Sequence, residues 1–383
     1  NWPSADATYQ TRNNANGFGL YDMSGNVWEW VNDWYANNYY TNCVLNNIVT
    51  NPPGPISGDL MPDGKPYRAM RGGNWFNGQD QYGHARVANR NPSYFRGPGD
   101  PNGPWFHIGF RIMRRGYTSV VSTGSTLTNL ATGLHFTEGP AADAAGNVFF
   151  SDIPADTIYK WSVTNSLSVF RTNSGGANGL FFDTTGNLLA CEGDNGRLTS
   201  ITPQGSVSVV TSNYAGMRFN EPNDLWIDPA GGVYFTDPTY FGHAIVQGGE
   251  YVYYLKPDRS AVLRVVTDTV RPNGLVGTAD GKTLYLADWG ATNVFRYDIN
   301  TDGTLTNKTS FARVKCDGMT LDAEGNLYFC ESAVLVYDSA GNLVEQIAVP
   351  ERPTNLEFGG SDRKTLFITT DAGSLYSLLR RVA

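Results

Sequence analysis

The sequence is poor in cysteine, has no basic run and has no long apolar run. A net charge of −8 without clustered Lys or Arg argues against a nucleic-acid partner. No apolar stretch approaches the roughly 18–20 residues that cross a membrane, so we expect no membrane span. The cysteines show neither CxxC nor zinc-type spacing, so we expect small buried thiols. These residues are Cys43, Cys191, Cys316 and Cys330.

Histidine and lysine are also scarce. The four histidines show no ligand spacing, which argues against a histidine-ligated zinc hydrolase. Little lysine beside abundant Asn, Ser, Thr and Tyr hints at export, so we expect a periplasmic or secreted protein. The chain begins at Asn1 and shows no signal-peptide pattern, so we expect a processed or truncated product.

What the chain does contain favours a β protein. Its 383 residues allow two or three domains, and a hydrophobic content of 40% with 13% aromatics is ample for packed cores. The 43 glycines and 20 prolines, with few long helical periodicities, predict a turn-rich and mainly β fold.

A repeat runs through residues 129–383. Six times, a polar residue stands eight positions before a turn-forming glycine or its substitute, and an alternating aliphatic and aromatic strand follows the turn. The repeats lie about 40–50 residues apart, the period of one four-stranded propeller blade. The sequence therefore predicts a six-bladed β-propeller. The six polar residues are Glu138, Asn178, Asn223, Asn273, Asp317 and Asn355.

Six equivalent positions in a propeller form a ring around its axis. Here the ring carries two carboxylates and four amides, oxygen ligands that suit a hard divalent cation. The alternative is that these residues are ordinary turn formers that bind their own backbone. Glu138 and Asp317 would however repel each other and lose hydration if they were buried without a cation. We therefore favour an axial metal.

Several short motifs carry a family resemblance. They are EGP (138–140), PNDL (222–225), YFTDPTY (234–240), PNGL (272–275) and DGM (317–319). With them, residues 129–383 resemble the senescence-marker, gluconolactonase and luciferin-regenerating family, whose six-bladed propellers hold a divalent metal on the axis. The resemblance implies that the metal ligands are Glu138, Asn223, Asn273 and Asp317.

The resemblance also implies the chemistry. A metal at this place can polarise a lactone or ester carbonyl, or lower the pKa of a bound water. Asp317 is the expected general base, and a covalent Asp nucleophile stays open. Ca²⁺ is the expected ion, with Mg²⁺, Mn²⁺ and Zn²⁺ left open. The expected substrate-binding residues are Asn178, Asn355, Arg218, His243 and Asp224, the last of which would orient Asn223.

Residues 1–116 differ in character from the repeats. The segments NGFGLYDMSGNVWEWVNDWY (16–35), RAMRGGNWF (68–76) and GFRIMRR (109–115) resemble the formylglycine-generating, sulfatase-modifying family. This implies the C-terminal part of an irregular α+β, C-type-lectin-like domain. A Ser/Thr/Gly-rich linker at 117–128 would join it to the propeller at 129–383.

Catalysis by the first part is not expected. The oxidases of that family need two cysteines where this chain has Asn77 and Tyr82, so we do not expect formylglycine generation as its activity. The resemblance does imply a second calcium site, and a role in binding a protein or a glycan fits this part better. The ligands of that site would be Asp22, Gly25, Val27 and Glu29.

Three functions are consistent with these features. The first is a metal-dependent lactonase that acts on a small lactone or ester. The second is a non-catalytic exported binding or scaffold protein with a structural axial metal, since a fold does not fix an activity. The third is an arylesterase-like or phosphotriesterase-like hydrolase on the same scaffold.

Overall fold

The computed structural model of the chain describes residues 119–380 except residue 241. It also describes residue 36 and the backbone of four strands within residues 28–110. The chain divides into two compact units, Asn1–Gly116 and Tyr117–Ala383. The limits of the predicted linker stay a prediction.

Four strands are described in the first unit: β1 (Trp28–Trp34), β2 (Arg68–Arg71), β3 (Asn91–Pro92) and β4 (Ile108–Phe110). They form one sheet in the order β3-β2-β1-β4. β1 is antiparallel to β2 and parallel to β4. A C-type-lectin-like domain over residues 1–116 stays a prediction.

The second unit begins with a single strand, β5 (Thr128–Ala131), and continues with the first two blades. Blade 1 contains β6 (Thr137–Ala142), β7 (Val148–Asp152), β8 (Thr157–Trp161) and β9 (Leu167–Thr172). Blade 2 contains β10 (Ala177–Phe182), β11 (Leu188–Glu192), β12 (Arg197–Ile201) and β13 (Val207–Thr211).

A short ribbon precedes the third blade, formed by β14 (Asn213–Tyr214) and β15 (Met217–Arg218). Blade 3 contains β16 (Leu225–Ile227), β17 (Val233–Asp237), β18 (Tyr251–Leu255) and β19 (Val262–Val266). Blade 4 contains β20 (Pro272–Gly277), β21 (Thr283–Asp288), β22 (Asn293–Ile299) and β23 (Leu305–Ala312).

The last two blades close the propeller. Blade 5 contains β24 (Met319–Leu321), β25 (Leu327–Cys330), β26 (Val334–Tyr337) and β27 (Leu343–Ile347). Blade 6 contains β28 (Pro353–Gly359), β29 (Thr365–Thr370) and β30 (Leu375–Leu379), with β5 as its outer strand. The six predicted blades are thereby confirmed.

Closure of the ring joins the two ends of the second unit. β5 pairs antiparallel with β30, so a strand from before Glu138 completes the blade at the C-terminal end. An isolated bridge between Val121 and Arg380 extends this pairing. Val120, Val121 and Leu127 pack on the core between blades 5 and 6, so this part of the predicted linker packs against the last two blades.

Alternation of side chains explains why the second strand of each of the first four blades is buried along its whole length. Tyr328 packs in the cluster shared by blades 5 and 6, whereas the next residue, Phe329, packs in the cluster shared by blades 4 and 5. Successive side chains of a strand point to opposite faces, and each blade has a neighbour on both faces. Six such clusters join the six pairs of neighbouring blades.

The six turns after the inner strands share one backbone conformation. Their glycines have φ values from 68° to 91°, a region that residues with a side chain rarely adopt. Arg363, the substitute in blade 6, adopts φ 60°. In blade 1, Asp143 accepts the N–H groups of Ala145 and Asn147, both at 2.9 Å, and closes the turn. The predicted hairpin pattern is confirmed.

Two further features complete the described part. Cys191, Cys316 and Cys330 are free and buried, as predicted, whereas Cys43 lies outside the described residues. Within residues 119–380, apart from residue 241, the regular secondary structure consists of β-strands, without an α-helix. A search of the described residues for a helix of membrane-spanning length and hydropathy found none.

Candidate functional site at the propeller hub

The six ring residues lie where the inner strands begin. Four of them fall within β6, β10, β20 or β28, and Asn223 and Asp317 stand just before β16 and β24. In blades 1, 2, 4 and 6, the pairing between the inner strand and its neighbour is irregular next to the ring residue, for example between Ala177 and Leu180. Such irregularities turn a side chain out of the regular ladder. All six ring residues are buried, with 5–7% of their surface exposed.

Backbone hydrogen bonds link the ring residues of neighbouring blades. The N–H of Gly179 donates to the carbonyl of Asn223 at 2.7 Å, and that of Gly274 donates to the carbonyl of Asp317 at 3.0 Å. A Cβ at Gly274 would lie 2.5 Å from the Asp317 carbonyl oxygen. Glycine after the ring residue therefore permits the close approach of the inner strands.

The ring residues line a cavity of about 210 Å³, several times the roughly 30 Å³ that one water occupies in the liquid. Five of the six contribute to its wall, whereas Asn355 does not line it but lowers the pKa of Glu138 through its side chain. The described lining residues are Phe136, Glu138, Asn178, Asn223, Tyr240, Asn273, Trp289, Asp317 and Arg352.

The two carboxylates of the ring disfavour each other's charge. Burial raises the pKa of Glu138 well above its ordinary value, and the Asp317 charge raises it further. The N–H of Gly139 donates to Glu138 at 2.8 Å and partly offsets this rise. Burial also raises the pKa of Asp317, against the lowering effect of Arg352 and Asn273. A nearby positive charge would stabilise both ionised groups.

Asp317 is held from two sides. Its Oδ1 accepts a hydrogen bond from Asn273 Nδ2 at 2.7 Å, and its Oδ2 accepts one from Arg352 Nη1 at 2.9 Å. Arg352 Nε donates in turn to Asp371 Oδ2 at 3.1 Å. The predicted base thus has a fixed orientation at the cavity wall.

The donor groups of the ring suit a hard cation, and only two of them carry a negative charge. No group of three or more His, Cys, Asp or Glu side chains within the described residues is arranged to hold a metal. A cation at the hub would therefore depend on two carboxylates and on amide oxygens, the oxygen donors that Ca²⁺ accepts in proteins. The buried and mutually repelling pair of Glu138 and Asp317 is the feature that such an ion would relieve.

Four of the five predicted substrate-binding residues lie outside this cavity wall: Asn355, Arg218, His243 and Asp224. Arg218 is exposed, and its Nη2 donates to the carbonyls of Gly193, Asp194 and Asn220 at 3.1–3.3 Å. His243 Nδ1 lies 2.7 Å from Glu221 Oε1. Asp224 is buried behind Asn223, and burial raises its pKa to about 7. The binding roles of these residues stay predictions.

Sequence reasoning missed four residues of the cavity wall: Phe136, Tyr240, Trp289 and Arg352. Tyr240 ends the motif YFTDPTY, and its N–H donates to Glu221. The segment that follows Tyr240 is held by Asn220, whose Oδ1 accepts the N–H of Val246 at 2.8 Å. Arg352 stands three residues before Asn355, and this proximity was the available signal.

Sequence reasoning also missed a second position that recurs in several blades. The acidic residue at the end of the second strand accepts hydrogen bonds from the backbone that leads into the ring. Asp152 binds the N–H of Phe136 at 3.2 Å, and Asp288 binds the N–H of Arg271 at 3.0 Å. Asp237 binds the N–H of Asn220 at 3.0 Å. These carboxylates fix the approach of the chain to the hub.

The predicted second calcium site is not described. Asp22, Gly25 and Val27 lie outside the described residues, and for Glu29 only the backbone within β1 is described. That site stays a prediction.

Two family profiles match the chain. The SMP-30/Gluconolactonase/LRE-like region covers residues 136–372, and the Sulfatase-modifying factor enzyme 1-like domain covers residues 4–116. Both predicted resemblances are confirmed.

Individual relatives agree with the first profile. The gluconolactonase of Zymomonas mobilis is 28% identical over 287 residues, which cover 66% of this chain and 80% of that protein. The gluconolactonase structure from Xanthomonas campestris has a TM-score of 0.64 at 28% identity and covers 68% of this chain and 91% of that one.

A more distant structure shares the fold. Regucalcin from Agrobacterium tumefaciens has a TM-score of 0.59 at 20% identity, covering 67% of this chain and 94% of that one. Because the first profile spans more than half of the chain, this protein belongs to the SMP-30/gluconolactonase/LRE-like family.

Proposed function

We propose that the propeller is a metal-dependent lactonase that opens a sugar lactone or a related small ester at the hub. The observation that carries this proposal is the pair of buried carboxylates, Glu138 and Asp317, in an amide-lined cavity of about 210 Å³. The gluconolactonase from Zymomonas mobilis, which covers two thirds of this chain, supports the substrate class.

The proposed cation would be held by Glu138, Asn223, Asn273 and Asp317, and Ca²⁺ is the first ion to test. Carboxylate and amide oxygens favour Ca²⁺, and Mg²⁺, Mn²⁺ and Zn²⁺ are the other ions to compare. When bound, such a cation supplies positive charge that polarises the lactone carbonyl.

Asp317 would act as the general base. Its carboxylate accepts a proton from the water that attacks the carbonyl carbon, the ring C–O bond breaks, and the leaving oxygen takes up a proton to give the hydroxy acid. Asn273 and Arg352 each occupy one lone pair on a different Asp317 oxygen, so each oxygen keeps a second lone pair that can accept the proton. Direct attack by Asp317 as a covalent nucleophile is the variant mechanism.

A lactone panel tests the proposal. Purified protein is treated with a chelator and assayed with glucono-lactone and related lactones, before and after each of the four ions is restored. We expect the chelator to abolish hydrolysis and one ion to restore it. Lack of hydrolysis of every lactone with every ion would overturn the proposed function.

Replacement of the base gives the second test. We expect Asp317→Asn to lower kcat by a factor on the order of 10²–10⁴, because the amide cannot accept the proton. Asp280→Asn, which changes an exposed turn carboxylate of blade 4, is the matched control and should keep the wild-type rate. Full turnover by Asp317→Asn protein that still binds metal would refute the assignment of the base.

A further inference from the structure

One wall of the hub cavity carries a guanidinium group. Arg352 directly precedes β28 and is partly buried, with 34% of its side chain exposed. It is the one cationic side chain among the described residues that line the cavity. The other lining residues are the two ring carboxylates, three amides and three aromatic residues.

Three neighbours fix this guanidinium. Nη1 donates to Asp317 at 2.9 Å and Nε donates to Asp371 at 3.1 Å, so two different edges of the group are held. The guanidinium carbon also lies 5.7 Å from the centre of the Trp289 ring, within the range of a cation–π contact. A side chain held in this way loses little further entropy when it binds a ligand.

The guanidinium keeps hydrogen-bonding capacity for a ligand. Its Nη2 makes no hydrogen bond to another described residue, and a planar guanidinium can bind a carboxylate through two parallel N–H groups. Lys315 lies beside the same Trp289 ring at 4.6 Å but outside the cavity wall. Two cations therefore lie near the Trp289 ring, of which only Arg352 lines the cavity.

The charges around the hub favour an anionic group on this side. A divalent cation would balance Glu138 and Asp317, which leaves the charge of Arg352 to be balanced by Asp371. The Asp371 side chain is 37% exposed, so water screens its charge in part. A ligand carboxylate that reaches Arg352 would meet the Nη2 donors of a fixed guanidinium in a partly buried wall.

We propose that Arg352 is a specificity-determining residue that selects lactones carrying a carboxylate on the carbon chain outside the ring. This inference rests on the proposed lactonase function and narrows its substrate class. Arg352 binds the distal carboxylate, while the lactone carbonyl lies at the hub beside Asp317.

A matched pair of substrates tests the inference. Two five-membered sugar lactones of the same stereochemistry are compared, one ending in a primary alcohol and the other in a carboxylate. For wild-type protein we expect the higher kcat/KM with the carboxylate. In Arg352→Gln we expect the ratio of the two kcat/KM values to fall roughly tenfold or more, because the fork of donors is lost.

Two variants serve as controls. Arg352→Lys keeps the charge without the fork and should give an intermediate ratio. Lys315→Gln removes the second cation beside Trp289 and should keep the wild-type ratio, since Lys315 does not line the cavity. An equal loss with both substrates in Arg352→Gln would mean that the residue only holds Asp317, and would overturn the inference.

Binding of the ring-opened products distinguishes a failure of this inference from a failure of the proposed function. Calorimetry compares the dicarboxylate product with the monocarboxylate product on wild-type and Arg352→Gln protein. If neither lactone is hydrolysed, the proposed function fails, and a preference for the dicarboxylate that disappears in Arg352→Gln still supports the role of Arg352. If wild-type protein shows no preference in rate or in binding, the inference is wrong.

Discussion

The inner strand of each blade runs from the hub to a turn, and the residues at its two ends meet different requirements in all six blades. At the outer turn, the repeated requirement is a backbone with positive φ, met by five glycines and by Arg363. At the hub, the repeated requirement is a buried polar side chain, met by Glu, Asp or Asn. The turn therefore constrains conformation, whereas the hub constrains chemistry.

This difference shows which positions could vary for function. A turn residue faces solvent or a neighbouring loop and has no reagent to hold. A ring residue faces the cavity, and the glycine that often follows it provides the space for close packing, as Gly274 does beside Asp317. The side chain at the hub can then change between carboxylate and amide without a change in the strands.

Substitution of turn glycines should give the largest effect on stability. Gly146 has φ 91°, and a Cβ there would lie 2.2 Å from the carbonyl oxygen of Gly360, whereas a Cβ at Gly186, with φ 85°, would meet nothing within 4 Å. We expect Gly146→Ala to lower the free energy of unfolding by more than about 3 kcal/mol. Gly186→Ala should cost only about 1–2 kcal/mol, from its backbone conformation alone.

Urea unfolding of the two glycine variants measures this difference. Gly186→Ala is the matched control, since it changes the same turn position in the next blade. Equal losses in the two variants would show that the contact between blades 1 and 6 does not add to the conformational cost.

Replacement of Glu138 tests the proposed cation site and should have an intermediate effect on stability. Glu138→Gln removes one of the two repelling carboxylates, so the protein should no longer gain stability from a divalent cation. For wild-type protein, an ion at a hundred times its Kd should add about 2.7 kcal/mol to the free energy of unfolding. The measurement is Tm with the ion and with a chelator.

Glu357→Gln is the control for that experiment. Burial raises the pKa of Glu357 to about 7, but this carboxylate does not line the cavity. Its variant should keep the wild-type response to the ion. A wild-type response in Glu138→Gln would contradict the proposed role of Glu138.

The smallest expected effect, when it is counted per pH unit, concerns Asp237, which supports the approach to the ring in blade 3. Burial raises the pKa of Asp237 to about 8, and its Oδ1 has no hydrogen-bond partner among the described residues. The folded protein therefore holds a proton that the unfolded chain, with a pKa of about 3.9, releases more readily. The free energy of unfolding should fall as pH rises between these values, by about 1.4 kcal/mol per pH unit.

Asp237→Asn should flatten this pH dependence, because the amide is neutral throughout. Urea unfolding of wild-type and variant protein from pH 5 to pH 8 provides the comparison, with about 1.4 kcal/mol per pH unit as the expected difference in slope. Parallel curves for the two proteins would show that Asp237 does not hold a proton in the folded state.

The repeat pattern predicted the blades well because each hairpin is local. A turn such as DAAGNVFFSD contains its own Asp, its glycine and the strand that follows, so the sequence carries the full signal. The six ring positions were predicted for the same reason, since each keeps a fixed distance from its turn. Their burial follows from the symmetry of six equivalent units.

The rest of the cavity wall could not be predicted in this way. Arg352, Trp289 and Tyr240 have no equivalent at the same register in every blade, so no repeat reveals them. Arg218 and His243 lie beside expected motifs, yet their polar atoms contact carbonyl groups and Glu221 outside the cavity wall. Adjacent positions in a sequence do not decide which way a loop side chain turns.

The sequence by itself determined the mainly β class, the six blades, the positions of the turns and the ring of carboxylates and amides. These properties follow from short-range periodicity and from backbone conformations that few residues tolerate. Only the tertiary structure decided that Asp317 pairs with Arg352 and that Trp289 and Tyr240 form the wall around them. Those contacts join residues from different blades, and only the closed ring places them at one hub.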